Sequence, residues 1–218
     1  MKKVNNRTIS IILICILGIS LNVSADNKHH KSTFQTSNGI DITGGGAITA
    51  GTMIRTKQSV DASLSLSGLD TNSAYAVWWV VFNKPENCVY GPIADTGRAC
   101  GGPGSGDVPD SVFYAAGFVT GNSGNANISV HLNAGKLPAG MQPGAQVRKP
   151  GMLKRGKGLK AEFHMVLHRK GPILSDLADQ IGSFAGGCDI NEGMCGDQAV
   201  IIFPAPKKTE ETEETEEE

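Results

Sequence analysis

Tyr75-Ala76-Val77-Trp78-Trp79-Val80-Val81-Phe82 is the stretch on which the fold turns. It is a continuous apolar, aromatic and β-branched run that stops at Asn83-Lys84-Pro85. Such a run is expected of a strand buried on both faces near the centre of a sheet. Adjacent strand residues point to opposite faces. One of Trp78 and Trp79 should therefore fill the core, and the other a second buried face or a groove, which makes the pair a candidate binding surface.

Outward from this run the period stays that of strands. Asp61-Ala62-Ser63-Leu64-Ser65-Leu66-Ser67 alternates polar and apolar, as a half-buried strand does, and Gly68 ends it. Further strands are expected over Ala47 to Arg55, Val112 to Thr120, Ala126 to Leu132, Ala161 to His168 and Gln198 to Phe203. Glycine is 28 of 218 residues, nearly twice the usual share of about 7%, which favours many tight turns. One short helix is expected, with Ser175 capping Asp176 to Phe184 and Leu177, Ile181 and Phe184 on one face. The fold class that follows is mainly β: an antiparallel sandwich, immunoglobulin-like or superoxide dismutase-like, with long Gly-rich loops.

The two ends have other compositions. Lys2, Lys3 and Arg7 precede an apolar run from Ile9 to Leu21, and Val23-Ser24-Ala25 follows as the small-residue pattern of a cleavage site. The run is about 13 residues, against roughly 20 for a membrane-spanning helix. Residues 1–25 are therefore expected to be a signal peptide, removed on export to the periplasm or medium, with no stable membrane insertion afterwards. Residues 26–38, which include His29 and His30, are expected to be a flexible polar leader, and 39–206 the sandwich. Thr209 to Glu218 hold seven glutamates and no apolar residue, so 207–218 should be a disordered acidic tail. Arg148, Lys149, Lys154, Arg155, Lys157 and Lys160 lie in a stretch without acids, broken by Pro150, Gly151, Gly156 and Gly158. It reads as a solvated loop that could meet an anionic surface, or the chain's own tail. Export, a net charge of −1 and the lack of interleaved aromatics count against nucleic acid as a partner.

With Cys15 inside the signal, Cys88, Cys100, Cys188 and Cys195 remain. An even number in an oxidising compartment predicts two disulfides. Closure into two local loops, Cys88 with Cys100 and Cys188 with Cys195, is the simplest of the three pairings. A four-cysteine zinc site lacks its usual close pairs. In Glu162-Phe163-His164-Met165-Val166-Leu167-His168 a strand places Glu162, His164 and His168 on one face. His164 and His168 would then stand about 13 Å apart, too far to share one ion. Glu162 and His164 could share one only if another strand added ligands, and His131 is the internal candidate.

Templates for catalysis are not met. Gly104-Ser105-Gly106 lies in a glycine-rich run without flanking strand and helix, and Gly44-Gly45-Gly46 lacks the helix of a dinucleotide site. Leu66-Ser67-Gly68-Leu69, the Tyr75 to Trp79 strand and Asn87-Cys88 resemble the part of copper/zinc superoxide dismutases where a Gly-Leu turn leads into a His-x-His strand and a later Cys loop. Val166-Leu167-His168-Arg169-Lys170 is similar to that family's strand bearing its last copper ligand, and Cys195-Gly196 to its second disulfide cysteine. CHRD sandwich domains share the Gly-Leu-then-strand habit. The resemblance implies a sandwich and a Cys88–Cys195 bridge, with Cys100 near Cys188. Val77 and Trp79 stand where the His-x-His pair would fall, and neither coordinates copper. The sequence thus leads to an exported, disulfide-stapled sandwich acting as a non-catalytic binding or surface protein without a cofactor. The alternative is a copper or zinc protein diverged from a copper/zinc enzyme, using His131, Glu162, His164 and His168.

Overall fold

The computed structural model describes residues 32–41, 48–88, 100, 111–138, 145–148 and 151–206. The expected signal peptide, the acidic tail and Lys149 lie outside these residues. Two antiparallel sheets stack face to face. The smaller has the order β1-β3-β4-β7, built from β1 (Thr33–Ser37), β3 (Ile48–Arg55), β4 (Ser59–Leu66) and β7 (Ala126–Asn133). The larger has the order β2-β10-β9-β5-β6-β8, built from β2 (Gly39–Asp41), β5 (Ser73–Phe82), β6 (Ser111–Val119), β8 (Gln146–Arg148), β9 (Glu162–Pro172) and β10 (Gly196–Phe203). Among the described residues no helix is long and apolar enough to cross a membrane.

The Tyr75 to Phe82 run is the inner strand it was expected to be. β5 lies between β9 and β6, with Val77 opposite Leu167 and Trp78 opposite Val166 on the β9 side. Tyr75, Val77, Trp79 and Val81 point into the core between the sheets, with Phe163, Met165 and Leu167 of β9 and Ala199, Ile201 and Phe203 of β10. β4 closes the core from the other side: Val60, Ala62, Leu64 and Leu66 are buried, and Ser59, Asp61, Ser63 and Ser65 face outward. The sheets approach closely at Gly51. A Cβ there would come within 2.8 Å of Ile201 Cδ1 and 3.0 Å of Phe203 Cζ, so a side chain would oblige the ends of those two side chains to shift.

Three expectations change. Thr33–Ser37, read as part of a flexible leader, is strand β1, paired along its length with β3 from Thr33 opposite Arg55 to Ser37 opposite Gly51. Arg148, read as loop, ends the edge strand β8, which pairs Arg148 with Val112; residues 151–160 do form turns, anchored by the buried Leu153. The helix α1 (Leu177–Gly182) is shorter than expected, and its cap is Asp176, whose carboxylate accepts from Asp179 N at 3.1 Å. Asp176 takes the role assigned to Ser175 because capping requires an acceptor one residue before the first helical turn.

An arginine is sealed inside. Arg55 ends β3 and is fully buried. Its Nη1 donates to Ala161 O (2.6 Å), and its Nη2 donates to Phe203 O (2.8 Å) and Pro204 O (2.9 Å). The guanidinium also lies 4.9 Å from the Phe163 ring centroid. A strand of the smaller sheet thereby clasps the chain where β9 starts and β10 ends. Burial lowers the guanidinium pKa and Glu162 opposes that shift; arginine keeps its charge in such settings. Arg55→Ala leaves two buried carbonyls and one half-buried carbonyl without this donor and should cost about 1–3 kcal/mol for each buried one. Arg55→Lys should recover only part of it, because an ammonium does not reproduce the fork. Urea denaturation of both variants checks this, and near-wild-type stability for Arg55→Ala would show that the clasp contributes little.

Candidate functional site

The outer face of the larger sheet carries the chemistry. Strand parity turns Glu162, His164, Val166, His168 and Lys170 of β9 away from the core, beside Phe82, Val80, Trp78 and Ala76 of β5. An outward face is ordinarily wet, yet Glu162, Lys170 and Trp78 are at most 1% exposed and both histidines are 7% exposed. The cover over one end is the excursion 173–195 between β9 and β10, which carries α1 and the Cys188–Cys195 loop.

That excursion is buckled to Lys170 from both sides. Lys170 Nζ donates to Ser183 O (2.9 Å) and Phe184 O and lies 3.9 Å from Cys188 Sγ. Lys170 O in turn accepts from the side-chain amides of Gln180 (3.2 Å) and Asn191 (2.8 Å), which also reach Pro172 O. The helix approaches β6 at Gly117, where a Cβ would fall 2.7 Å from Ile181 Cβ. Phe184, just beyond the helix, meets Trp78 edge-on at 5.2 Å and tilts over His168 at 5.5 Å.

Both cysteine pairs close locally, as the loop reading expected. Cα–Cα separations are 5.4 Å for Cys88–Cys100 and 5.5 Å for Cys188–Cys195, within the usual disulfide range. The Cys88–Cys195 bridge implied by the resemblance is not formed. Cys100 N bonds the Glu162 carboxylate and Cys188 lies beside Lys170, and eight strand residues separate those anchors by about 26 Å. The same separation leaves no four-cysteine zinc site.

The expected metal set does not assemble. His131 is on β7, in the other sheet, with Nδ1 2.6 Å from Asp61 Oδ1; that exposed pair raises the His131 pKa above the ordinary histidine value. Glu162 and His164 do meet, at 2.7 Å, and Glu162 also accepts from Cys100 N at 2.8 Å. His168 stands four residues further along the strand, about 13 Å from His164, with Nδ1 2.7 Å from Asp197 Oδ1. The group that converges is different: His168, Cys188 and Cys195 bring their ligand atoms within 4.8 Å of one another, a set that could hold a metal ion were the two cysteines not paired as a disulfide. Spacing along the chain hid this, since only the return of 173–195 over the sheet brings the cysteines to His168.

The proposed tryptophan surface is also corrected. Trp79 is in the core, and Trp78 lies beneath Phe184 and Tyr114. Both are buried because both faces of β5 are covered, so neither offers a ring to a ligand. Of the basic residues, Lys154 and Arg155 are exposed, Lys154 N bonds Asn83 Oδ1 at 2.7 Å, and Lys157 reaches Glu86 at 3.9 Å.

Comparison with known proteins finds no family model that matches the chain and no curated protein that matches its sequence. The copper positions suggested by the resemblance do not converge either. Val77 and Trp79 face the core and His168 the opposite side of the sheet, so the residues present do not fit that centre.

Burial lowers the Lys170 pKa to about 8 from 10.5, with Asp179 and Asp197 opposing the shift. Below about pH 8 the amine is protonated in the folded and unfolded chain alike. Between about 8 and 10.5 the unfolded chain keeps a proton that the folded chain has lost, so stability from this group rises with pH across that window. Urea titrations at about pH 7.5 and about pH 10 should show that rise in the wild type and its absence in Lys170→Met. Equal pH slopes in the two proteins would contradict the assignment.

Proposed function

We propose that this protein is an exported, disulfide-stapled sandwich that works as a non-catalytic binding or surface protein, with the excursion 173–195 as its contact element. One observation carries the reading. Ile173, Phe184, Ile190 and Met194 are large apolar side chains exposed on this one segment, up to 68% for Ile190. Its backbone is nevertheless held by a disulfide, a buried lysine and two buried amides. Exposed apolar side chains on a fixed frame suit association, because little conformational entropy is lost when a partner covers them. The disulfides and the signal-like amino terminus support a secreted or periplasmic setting. We propose the basic stretch 148–160 as a secondary contact for an anionic surface.

A second reading, metal binding, is favoured by the convergence of His168, Cys188 and Cys195. Mixed nitrogen and sulfur donors suit zinc or copper.

A photo-crosslinking residue placed at Ile190 of the exported chain tests the first reading. It should give one discrete adduct, lost with Met194→Ser, whereas the same probe at Ser129 on the smaller sheet should give none. Indiscriminate labelling from both positions, or a chain retained in the cytoplasm with free thiols, would overturn it.

A further inference from the structure

We propose that reduction of the Cys188–Cys195 disulfide opens a site for a zinc-like divalent cation, held by the two thiolates and a ring nitrogen of His168, with Asp197 orienting the imidazole. The proposal rests on the metal-binding reading and adds a redox gate to it.

The three donors already stand within 4.8 Å of one another, and among the described residues no other group of three such side chains does. While oxidised, the sulfurs are about 2 Å apart and not anionic, so they cannot act as two thiolate ligands. A tetrahedral zinc site needs donor atoms about 3.5–3.8 Å apart, from metal–sulfur bonds of about 2.3 Å and metal–nitrogen bonds of about 2.0 Å. Parting the sulfurs and drawing the imidazole inward, each by an ångström or two, meets that geometry. The scaffold holds the pieces near one another without the bond. His168 is on β9 between β5 and β10, Cys195 directly precedes β10, and Cys188 belongs to the segment tied down by Lys170, Gln180 and Asn191.

The second sphere is present too. Asp197 Oδ1 lies 2.7 Å from His168 Nδ1, and with Nδ1–H donating to that carboxylate, Nε2 keeps its lone pair for a metal. Lys170 Nζ, 3.9 Å from Cys188 Sγ, places a cation beside the thiolate that leaves when the disulfide is attacked. Two thiolates and a neutral imidazole leave one coordination position for water or an outside ligand.

The reductant is a dithiol. Its thiolate attacks one sulfur of the pair, the Cys188–Cys195 bond breaks, and a mixed disulfide forms. The second thiol of the reductant then closes on the mixed disulfide. The reductant leaves oxidised by two electrons, and Cys188 and Cys195 are left as thiols. Binding of the cation releases their two protons to solvent. Reoxidation by a disulfide reverses the sequence and expels the ion.

Cobalt(II) is the probe, because thiolate ligation gives it a charge-transfer absorption. The full mature chain, oxidised and then reduced with a phosphine, is titrated with cobalt(II) and competed with zinc(II). The reduced protein should take up one equivalent with the thiolate signature, and the oxidised protein none. Cys88→Ser/Cys100→Ser should retain the uptake and Cys188→Ser/Cys195→Ser should lose it. Asp197→Asn should weaken it about tenfold, with His168→Ala weaker still. Uptake that is unchanged in His168→Ala, or that needs Cys88 and Cys100, overturns the proposal. So does loss of the near-ultraviolet circular dichroism on reduction, since an unfolded chain has no such site. Equal uptake by the oxidised chain removes the gate and leaves the metal reading standing; no uptake in either state removes both.

Discussion

β5 is apolar on both faces, and the rest of the molecule is arranged around that constraint. A strand of this kind cannot sit at an edge or on a sheet with one wet face, because either would leave tryptophan or valine side chains in water. Its inward residues are met by β4 and the other strands of the smaller sheet. Its outward residues require a second cover, and over Trp78 the segment between β9 and β10 supplies it, with Phe184 against Trp78 and α1 against Gly117 of β6. The excursion that carries the second disulfide is therefore a structural layer, not a surface ornament.

Covering an outward face brings polar groups out of water as well, and each must find a partner. On β9 this happens residue by residue. Glu162 Oε1 meets His164 and Cys100 N while its buried Oε2 has no partner among the described residues, His168 meets Asp197, and Lys170 meets two carbonyls of the covering segment. These contacts make the cover specific, since an apolar patch alone would accept many orientations. They also set two sulfurs, a histidine and an amine side by side. The structural demand on β5 and the chemistry of the site thus share one origin: the same return of the chain satisfies both.

At the opposite end Arg55 solves a related problem. The residue before β9 and the end of β10 bring carbonyls close together, and one guanidinium binds three of them, those of Ala161, Phe203 and Pro204. Arginine suits the place through its planar fork and weaker hydration. The sequence offered no sign of it, because Arg55 closes an otherwise ordinary strand and looks like the polar stop before a turn.

The amino-acid sequence by itself determined the class of fold and the inner strands, and it favoured local closure of the cysteines without fixing it. Those features depend on short-range properties: the alternation in Asp61 to Ser67, the unbroken run at Tyr75 to Phe82, and two cysteine pairs each separated by a short loop. It also indicated that Trp78 and Trp79 would face opposite ways, from strand parity alone. The edge strand β7 was legible from its alternation, but the edge strands β1, β2 and β8 were not, since each is only three to five residues long and takes its pairing from another strand, as Thr33–Ser37 does from β3. Nor was the meeting of His168 with Cys188 and Cys195. His168 looked like a partner of His164 and Glu162 because they share a strand face, but rise along a strand separates neighbours on one face faster than an ion can bridge them. Which side chains met was decided by the covering of β5, and only the tertiary structure carries that, because the path of residues 173–195 is set by burial of another strand's side chains and not by their own local pattern.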